Sequence, residues 1–261
     1  MISNIKKNQI TSLLLELGDE VEKIKQHDID LKIKFKKDQS PLSKADLFLN
    51  EQICNFLRKI HSSNIISEES SEVSFAKRKK WDYFWIIDPI DGTKEFLNKG
   101  TDYTINIALC KGNSPILSYV YAPARNEMFH AEKGISAFLN QKKITVSKIS
   151  SKVLNIVASK SHLNDETMDF INRIKELYPI KLSNYGSSLK ICRVAEGKAD
   201  IYPRFGPTME WDTCAADLIL SEAGGELVEK RGKRLTYNKE NLLNPNFVAK
   251  SKSFEIKQFL K

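Results

Sequence analysis

The segment WIIDPIDGTKEF, at residues 85–96, carries the acids whose types and spacing most directly suggest chemistry. Its apolar run brings Asp88 to the end of a predicted strand. Pro89 has no N–H with which to continue a ladder, so we expect the chain to turn there. Asp88 and Asp91 can then converge on one point, with the Ile90 carbonyl between them. Hard oxygen ligands this close together in the chain are what Mg²⁺ prefers, so the segment predicts a magnesium site.

The residues after this turn predict an anion site beside the metal site. Gly92 and Thr93 open a short predicted helix, and the free N–H groups at a helix start bind phosphate well. A divalent ion could then bridge the carboxylates to a phosphate whose other oxygens are held by the backbone. The alternative for DPIDG alone is an Asx-type turn that closes a strand, since Asp, Pro and Gly all favour turns.

Further acids stand where strands end or helices begin. Glu68 and Glu69 follow the apolar run of a short predicted strand, a place where scaffolds commonly hold functional side chains. Asp212 stands before a helical pattern, and by itself it would most simply be an N-cap. Asp46 falls in the first turn of a helix whose N-cap we expect at Ser43, and the helix dipole alone would favour an acid there.

Taken in order, five motifs resemble the inositol monophosphatase superfamily over nearly the whole chain. They are SPLSKAD at 40–46, SEE at 67–69, DPIDGTKEF at 88–96, GSSLK at 186–190 and WDT at 211–213. Within the superfamily, the KEF after DGT, the run from GSSLK through YPRFGPTMEWDT and the late LLNPNF resemble the CysQ type of 3'(2'),5'-bisphosphate nucleotidase. This resemblance implies hydrolysis of adenosine 3',5'-bisphosphate to AMP and phosphate. Inositol monophosphatase or another sugar phosphatase is the alternative.

The resemblance also implies a role for each matching residue. Asp46 and Thr93 would orient and deprotonate the attacking water, with Glu69 as a support. Two or three Mg²⁺ ions per site are expected, with Li⁺ and Ca²⁺ as inhibitors, and the ligands would be Glu68, Asp88, the Ile90 carbonyl, Asp91 and Asp212. The residues expected at the substrate are Glu68, Ile90, Asp91, Gly92, Thr93, Ser159, His162, Ser187, Lys190 and Asp212. A single histidine after a strand, such as His162, also suits a structural role.

The elements that must position these residues begin with two helices and a strand. Apolar spacing predicts a helix over 3–25, a strand over 29–35 and a second helix from Ser43 to Ile60. Residues 103–129 then alternate in the manner of antiparallel hairpins. The first part of the chain therefore predicts an α+β lobe over 1–148 that carries most of the metal ligands.

The predicted secondary structure changes after Val146, where strands alternate with helices. The helices are predicted at 164–177, 187–196 and 213–223. Such alternation indicates an α/β lobe over 149–261, which would carry Asp212 and the substrate contacts. The family resemblance implies that the two lobes form a layered αβαβα sandwich sharing one site.

Bulk properties limit the possible classes of protein. A net charge of +8 suits an anionic partner, whether nucleic acid, an acidic lipid surface or a phosphorylated small molecule, or it marks a lysine-rich solvated face. No apolar run approaches the ~18 residues of a membrane span, and the N-terminal pattern indicates an amphipathic helix rather than a signal peptide. The cysteines contain no C-x-x-C pair, which argues against a zinc knuckle and favours a reducing cytosol: Cys54, Cys110, Cys192 and Cys214.

The remaining expectations concern partners and place in the cell. We expect a small nucleotide bisphosphate as partner, no nucleic acid, and a cytoplasmic monomer or homodimer, with peripheral contact with the inner membrane as an open possibility. A basic nucleic-acid or membrane-surface binder is the alternative, although most aromatic residues fall at core-like positions. The charged connector SSEVSFAKRKK, at 70–80, predicts a mobile loop near the mouth of the site.

Overall fold

The computed structural model describes residues 2–26, 34–35, 41–148, 153–159, 163–256 and 259. The strand expected over 29–35 falls mostly outside these residues. Its described part, Lys34–Phe35 (β1), pairs antiparallel with Pro41–Leu42 (β2).

A seven-stranded sheet is the larger β-layer. Its first strand runs parallel to its neighbour and the later pairs are antiparallel. The hairpins expected over 103–129 belong to this sheet and are confirmed. Its spatial order follows the chain: Asn64–Ser67 (β3), Tyr83–Asp91 (β4), Thr104–Lys111 (β5), Ser114–Ala122 (β6), Glu127–Glu132 (β7), Ser136–Leu139 (β8) and Lys142–Ile144 (β9).

A five-stranded mixed sheet is the smaller β-layer. Its strands are Leu154–Ser159 (β10), Ile180–Tyr185 (β11), Ile201–Arg204 (β12), Gly225–Glu229 (β13) and Phe247–Ser251 (β14), in the spatial order β11-β10-β12-β14-β13. The helices are Asn4–Gln26 (α1), Lys44–Ile60 (α2), Phe75–Arg78 (α3), Thr93–Leu97 (α4), Asp165–Leu177 (α5), Leu189–Ala195 (α6) and Glu210–Glu222 (α7), with a 3₁₀ turn at Pro123–Arg125.

Three apolar cores separate these elements into layers. The helices α1 and α2 cover one face of the large sheet, where Leu14 and Leu49 are fully buried. The helices α6 and α7 lie between the two sheets, in a core that contains Ile86 of the large sheet and Val157 of the small one. Helix α5 covers the far face of the small sheet, where Ile156 packs. Because successive strand residues face opposite ways, neighbours 156 and 157 serve different cores. The layered αβαβα sandwich is confirmed.

Most predicted elements lie where the sequence puts them, with two differences at the site. Pro89 does not end the strand, because β4 continues to Asp91 through an irregularity in its register. Asp212 is not an N-cap either, since α7 begins at Glu210 and Met209 is its N-cap. The boundary between lobes at 148 and 149 stays a prediction; α6 and α7 pack against both sheets.

The connector at 70–80, expected to form a mobile loop, contains helix α3 and a buried anchor. Arg78 is fully buried, and its guanidinium donates to the Asn238 side chain at 2.6 Å and to the carbonyls of Lys239 and Glu240 at 3.0 and 3.2 Å. A run of lysines around one arginine resembles a solvated loop, and only the fold shows which cation is buried; the mobility of the connector and its place near the mouth of the site stay predictions.

A search of the described residues finds no helix with both the length and the apolar character needed to cross a membrane.

Candidate metal and phosphate site

Three of the predicted ligands form one compact group of carboxylates. Asp88, Asp91 and Asp212 each present an oxygen, and these oxygens all lie within 4.8 Å of one another. Asp88 and Asp91 come from β4 in the first part of the chain, and Asp212 comes from the first turn of α7. Acids that are far apart in the sequence thus form a single cluster where the large sheet meets the central helices.

A bulge in β4 explains how Asp88 and Asp91 reach the same side. Residues three apart in a regular strand face opposite ways. Asp88 pairs with Asn106 and Asp91 with Thr104, so β4 carries one more residue than β5 across this interval. The extra residue restores a common direction for the two acids. Pro89 lies inside the bulge, where its missing N–H costs no regular ladder bond.

Asp88 is the acid that most needs a partner from outside the chain. Its side chain is 1% exposed, and neither oxygen meets a hydrogen-bond donor within the described part of the protein. Burial raises the pKa of Asp88 well above its ordinary range, and the charges of Glu68, Asp91 and Asp212 raise this pKa further. Bare buried oxygens facing other carboxylates fit a divalent cation, which would offset both effects.

Asp91 and Asp212 are each bonded on one oxygen. Asp91 Oδ2 accepts the backbone N–H and the hydroxyl of Ser188, both at 2.6 Å, and Asp212 Oδ2 accepts the Met209 N–H at 2.7 Å. Burial raises the pKa of both acids, and for Asp212 the charges of Asp91 and Glu68 add to the effect. The Ser188 bonds oppose the shift at Asp91. Within the described part of the chain these bonds all fall on Oδ2, which leaves Oδ1 of each acid for a ligand.

Glu68 stands beside this group at the end of β3. Its backbone N–H donates to the Ile87 carbonyl at 3.2 Å, which carries the parallel pairing one residue past the strand. Its charge acts on Asp88 and on Asp212, so the carboxylate lies near both. Glu69 is half-buried and its N–H donates to Ser67 Oγ at 3.4 Å; its supporting role stays a prediction.

Asp46 and Thr93 meet as the resemblance implied. The Thr93 hydroxyl lies 3.5 Å from Asp46 Oδ1 and 3.1 Å from the Ile90 carbonyl oxygen. Asp46 Oδ2 accepts the N–H of Ser43 at 2.8 Å and its hydroxyl at 2.5 Å, so Asp46 completes the capping box of α2. The structural and the functional interpretations of Asp46 therefore use different oxygens.

Gly92 is required by its backbone conformation at the start of α4. Its φ is +89°, in the left-handed region, and a Cβ there would lie 3.0 Å from the Asp102 carbonyl oxygen. Thr93 follows Gly92 directly as the first residue of α4, and its hydroxyl lies 3.1 Å from the Ile90 carbonyl oxygen. The phosphate site expected at this helix start stays a prediction.

Two cations, Lys190 in α6 and Arg204 in β12, lie near the same acids. Lys190 is buried and donates to the Ser187 carbonyl at 2.6 Å. Burial, aided by the charge of Arg204 and opposed by Asp91, lowers the pKa of Lys190 to about 8. Arg204 is also buried and lowers the pKa of Asp212. These cations can neutralise an anionic substrate that enters beside the acids.

Ser159 and Ser187, two further predicted substrate residues, lie at one edge of the small sheet. Ser159 ends β10 and pairs with Tyr185, the residue before the GSSLK motif, so it lies beside the loop that carries Ser187. Parallel strands bring their carboxyl ends to one edge, and ligands commonly bind there. His162 lies outside the described residues, and the nucleotide contacts of all these residues stay predictions.

Sequence reasoning missed three residues that contact or flank the predicted ligands: Ser188, Asn106 and Arg204. Asn106 is a buried amide inside the apolar strand β5, and Arg204 ends the apolar strand β12. The rule that identified Asp88, a charged residue at the end of an apolar run, also applies to Arg204. Ser188 lies in the GSSLK motif, but the residue predicted there to contact the substrate is its neighbour Ser187.

Comparison with known proteins identifies the family. A model of the inositol monophosphatase family matches residues 4–258. The chain belongs to this family. It is 34% identical to the 3'(2'),5'-bisphosphate nucleotidase CysQ of Salmonella typhimurium, over 92% of this chain and 97% of that protein. The CysQ of Escherichia coli is also 34% identical, with the same coverage.

Solved structures of this family share the fold. The crystal structure of CysQ from Bacteroides thetaiotaomicron superposes with a TM-score of 0.83 at 36% identity, covering 96% of this chain and 99% of that one. An inositol monophosphatase from Thermotoga maritima gives a TM-score of 0.81 at 26% identity, over 97% and 95% of the two chains. The predicted family and the CysQ-type branch are thus confirmed as what this chain resembles.

Proposed function

We propose that this protein is a Mg²⁺-dependent 3'(2'),5'-bisphosphate nucleotidase that hydrolyses adenosine 3',5'-bisphosphate to AMP and inorganic phosphate. The observation that carries the proposal is the pair of bare, buried oxygens of Asp88 inside the group formed with Asp91 and Asp212. Carboxylates grouped in this way bind a metal cation, and in phosphatases a bound cation neutralises the charge of the phosphate. The relatives named for the nucleotidase activity match the chain over nearly its whole length.

The chain's own groups define where the metal would be held. The ligands would be Glu68, Asp88, the Ile90 carbonyl, Asp91 and Asp212, and we propose two or three ions among them. When bound, Mg²⁺ supplies charge neutralisation for the phosphate and lowers the pKa of a bound water. We further propose that Li⁺ and Ca²⁺ inhibit by taking one of these positions.

Asp46 and Thr93 are proposed to prepare the attacking water. Ser43 occupies Asp46 Oδ2, so Oδ1 is the oxygen that faces Thr93. The Thr93 hydroxyl carries one proton and can donate it to Asp46 or to the Ile90 carbonyl. Its lone pairs then accept a proton of the water, which orients the water oxygen toward the phosphorus. Proton transfer through Thr93 would end on Asp46.

The substrate is proposed to lie between the two β-layers. N–H groups following Gly92 would hold the phosphate that is removed. Lys190 and Arg204 lie beside the acids and suit a second negative group on the substrate, which a nucleoside bisphosphate has and inositol 1-phosphate lacks. Ser159 and Ser187 would contact the remainder of the nucleotide.

The test is a comparison of substrates under matched conditions. Phosphate release is measured with Mg²⁺ from adenosine 3',5'-bisphosphate, inositol 1-phosphate and fructose 1,6-bisphosphate. The nucleotide should give the highest kcat/KM, and chelation of Mg²⁺ should abolish its turnover. Preference for either of the other substrates would reject the nucleotide assignment while leaving the phosphatase class. Monomeric or homodimeric state, cytoplasmic location and contact with the inner membrane face stay predictions.

A further inference from the structure

We propose that Ser188 is a positioning residue: it fixes Asp91 against the start of α7 and so sets the spacing of the carboxylate group. This inference rests on the proposed function, because it presupposes that the carboxylate group binds a cation. It concerns a residue that contacts the ligands from behind rather than one that touches the cation or the substrate.

The contacts of Ser188 join both parts of the predicted ligand set. Its backbone N–H and hydroxyl both lie 2.6 Å from Asp91 Oδ2, and the hydroxyl lies 2.7 Å from the backbone carbonyl oxygen of Asp212. Asn106 donates to the Ser188 hydroxyl at 2.9 Å. Ser188 is 3% exposed, so water does not compete for these bonds. One side chain thus links β4, β5 and α7 at the site.

The number of hydrogen bonds that a hydroxyl can make limits which partners Ser188 can link. A serine hydroxyl has one proton and two acceptor positions. Asn106 uses an acceptor position, and the proton goes to Asp91 or to the Asp212 carbonyl. The Ser188 N–H bonds Asp91 Oδ2 in either case, and the hydroxyl adds the contacts that tie this oxygen to Asn106 and to the start of α7. The hydroxyl therefore fixes where Asp91 lies relative to Asp212, and an oxygen of each of the three aspartates lies within 4.8 Å of the others.

The loop that presents Ser188 is fixed before any ligand binds. Asp102 accepts the Gly186 N–H at 3.2 Å and is itself paired with Arg125. A Cβ on Gly186 would lie 2.5 Å from the Asp102 carbonyl oxygen, so only glycine fits this approach. Ser187 follows with φ of +46°, a left-handed conformation that is costly for a non-glycine residue. The surrounding bonds hold that conformation and direct Ser188 at Asp91.

Positioning matters here because like charges must be held together. Without a cation the three carboxylates repel one another, because their oxygens lie within 4.8 Å of one another. Unrestrained acids would separate, and a cation would have to gather them again on binding. Residues that orient ligands in this way commonly change metal affinity by about 10- to 100-fold when mutated.

The experiment measures cation binding without substrate or turnover. Free Mn²⁺ is counted by electron paramagnetic resonance as the full chain is titrated, and Mg²⁺ is added as competitor. Ser188→Ala, which keeps the backbone N–H, should weaken Mn²⁺ binding about tenfold. Asn106→Ala removes the donor to the Ser188 hydroxyl together with a 3.4 Å contact to Asp91 Oδ2, and it should weaken binding less because Ser188 still donates to Asp91. The matched control is Ser118→Ala, which removes a buried hydroxyl that has no hydrogen-bond partner in the described structure.

The outcomes separate this inference from the proposed function. Mn²⁺ affinity of Ser188→Ala within twofold of the unmodified chain would overturn it, and so would an equal loss in Ser118→Ala. If Ser188→Ala does not fold, Ser188→Cys, whose thiol is a weaker donor, takes its place: unchanged affinity overturns the inference, whereas a several-fold loss supports it. A chain whose Mn²⁺ affinity depends on Ser188 as expected, but which releases no phosphate from the nucleotide, would instead reject the proposed activity.

Discussion

Two neighbouring acids at the start of α7 belong to regions built in opposite ways. Glu210 is fully buried, and its carboxylate accepts the N–H groups of Asn238 and Lys239 at 2.5 and 2.9 Å and the Lys239 ammonium at 2.6 Å. Asp212, two residues later, belongs to the group around Asp88, whose two oxygens meet no donor among the residues that the structure describes. Burial penalises both Glu210 and Asp88, but among the described residues only Glu210 has donors that offset the cost.

The difference separates acids that the fold supports from acids that a ligand must support. Buried polar atoms are nearly always hydrogen-bonded, so a bare buried carboxylate calls for an explanation. Glu210 completes its bonds within the chain and ties the 238–239 segment to α7. Asp88 completes none, which makes it the better guide to function even though both residues are equally hidden.

The strongest test of this contrast is Asp88→Asn. We expect kcat/KM for the nucleotide to fall about 10⁴-fold or more, because the central cation ligand is lost. We also expect the metal-free variant to melt at a higher temperature than the unmodified chain, since one of several crowded charges is gone. Thermal melts with EDTA and with Mg²⁺ check both effects. The exposed Asp169→Asn is the control and should change neither.

Loss of stability in metal-free Asp88→Asn would contradict the contrast, because it would show that the chain itself stabilises that charge. Retention of the Mg²⁺-induced rise in melting temperature would contradict the ligand role.

Thr93→Ala tests Asp46, which is partly supported by the chain and partly directed at the proposed chemistry. One oxygen of Asp46 caps α2 and the other faces Thr93. Removing the hydroxyl should lower kcat about 10²- to 10³-fold through loss of water activation. Mn²⁺ affinity should change little, since Thr93 is not a proposed ligand. Thr93→Ser keeps the hydroxyl and should restore most of kcat, so equal losses in the two variants would argue for a steric effect instead.

Glu210→Gln tests the supported acid. The amide cannot accept all three donors, and the Lys239 ammonium loses its partner, so we expect a loss of about 3 kcal/mol in unfolding free energy. Urea unfolding measures it. The control is Glu166→Gln, whose pair with Lys230 is exposed and should contribute less than about 1 kcal/mol. Similar losses in the two variants would mean that the buried donors give Glu210 no special support.

Patterns in the sequence predict most elements of the fold and several of the acids that the structure brings together, whereas the layered arrangement needed the family resemblance. Alternating apolar residues predict the hairpins of the large sheet, and the acids after apolar runs predict Asp88, Asp91 and Glu68. These features are local, since a strand's period and its end are visible within about ten residues of sequence. Asp46 and Asp212 needed the family resemblance, because a helix-start acid has an adequate structural explanation by itself.

Other features depend on partners far away in the chain. Pro89 predicts a turn in isolation, but its pairing with β5 turns the same residue into part of a bulge. Arg78 is one cation among several until residues 238–240 fold around it. Ser188 differs from Ser187 only in which of two adjacent hydroxyls faces Asp91. Sequence spacing does not report such long-range contacts, so these residues emerged only from the fold.

The smallest expected effect concerns Asp217, a buried acid with partial support. It accepts the Tyr237 hydroxyl at 2.9 Å and lies 3.5 Å from the half-exposed Arg234. Burial raises the pKa of Asp217 from 3.8 to about 6, against these two opposing partners. The folded chain therefore keeps a proton that the unfolded chain has lost, and the stability contributed by protonation disappears as pH rises through about 6.

Asp217→Asn should remove this dependence while keeping an acceptor for Tyr237. Between about pH 4.5 and 7.5 the unmodified chain should lose about 2 kcal/mol more unfolding free energy than the variant does. Urea unfolding at the two pH values, with EDTA in every sample, measures the difference. The variant should be the more stable protein at the higher pH and not at the lower. Parallel pH dependence of unfolding in the two proteins would show that Tyr237 and Arg234 stabilise the Asp217 carboxylate fully. Asp217 would then resemble Glu210, and it would not be an intermediate between supported and bare acids.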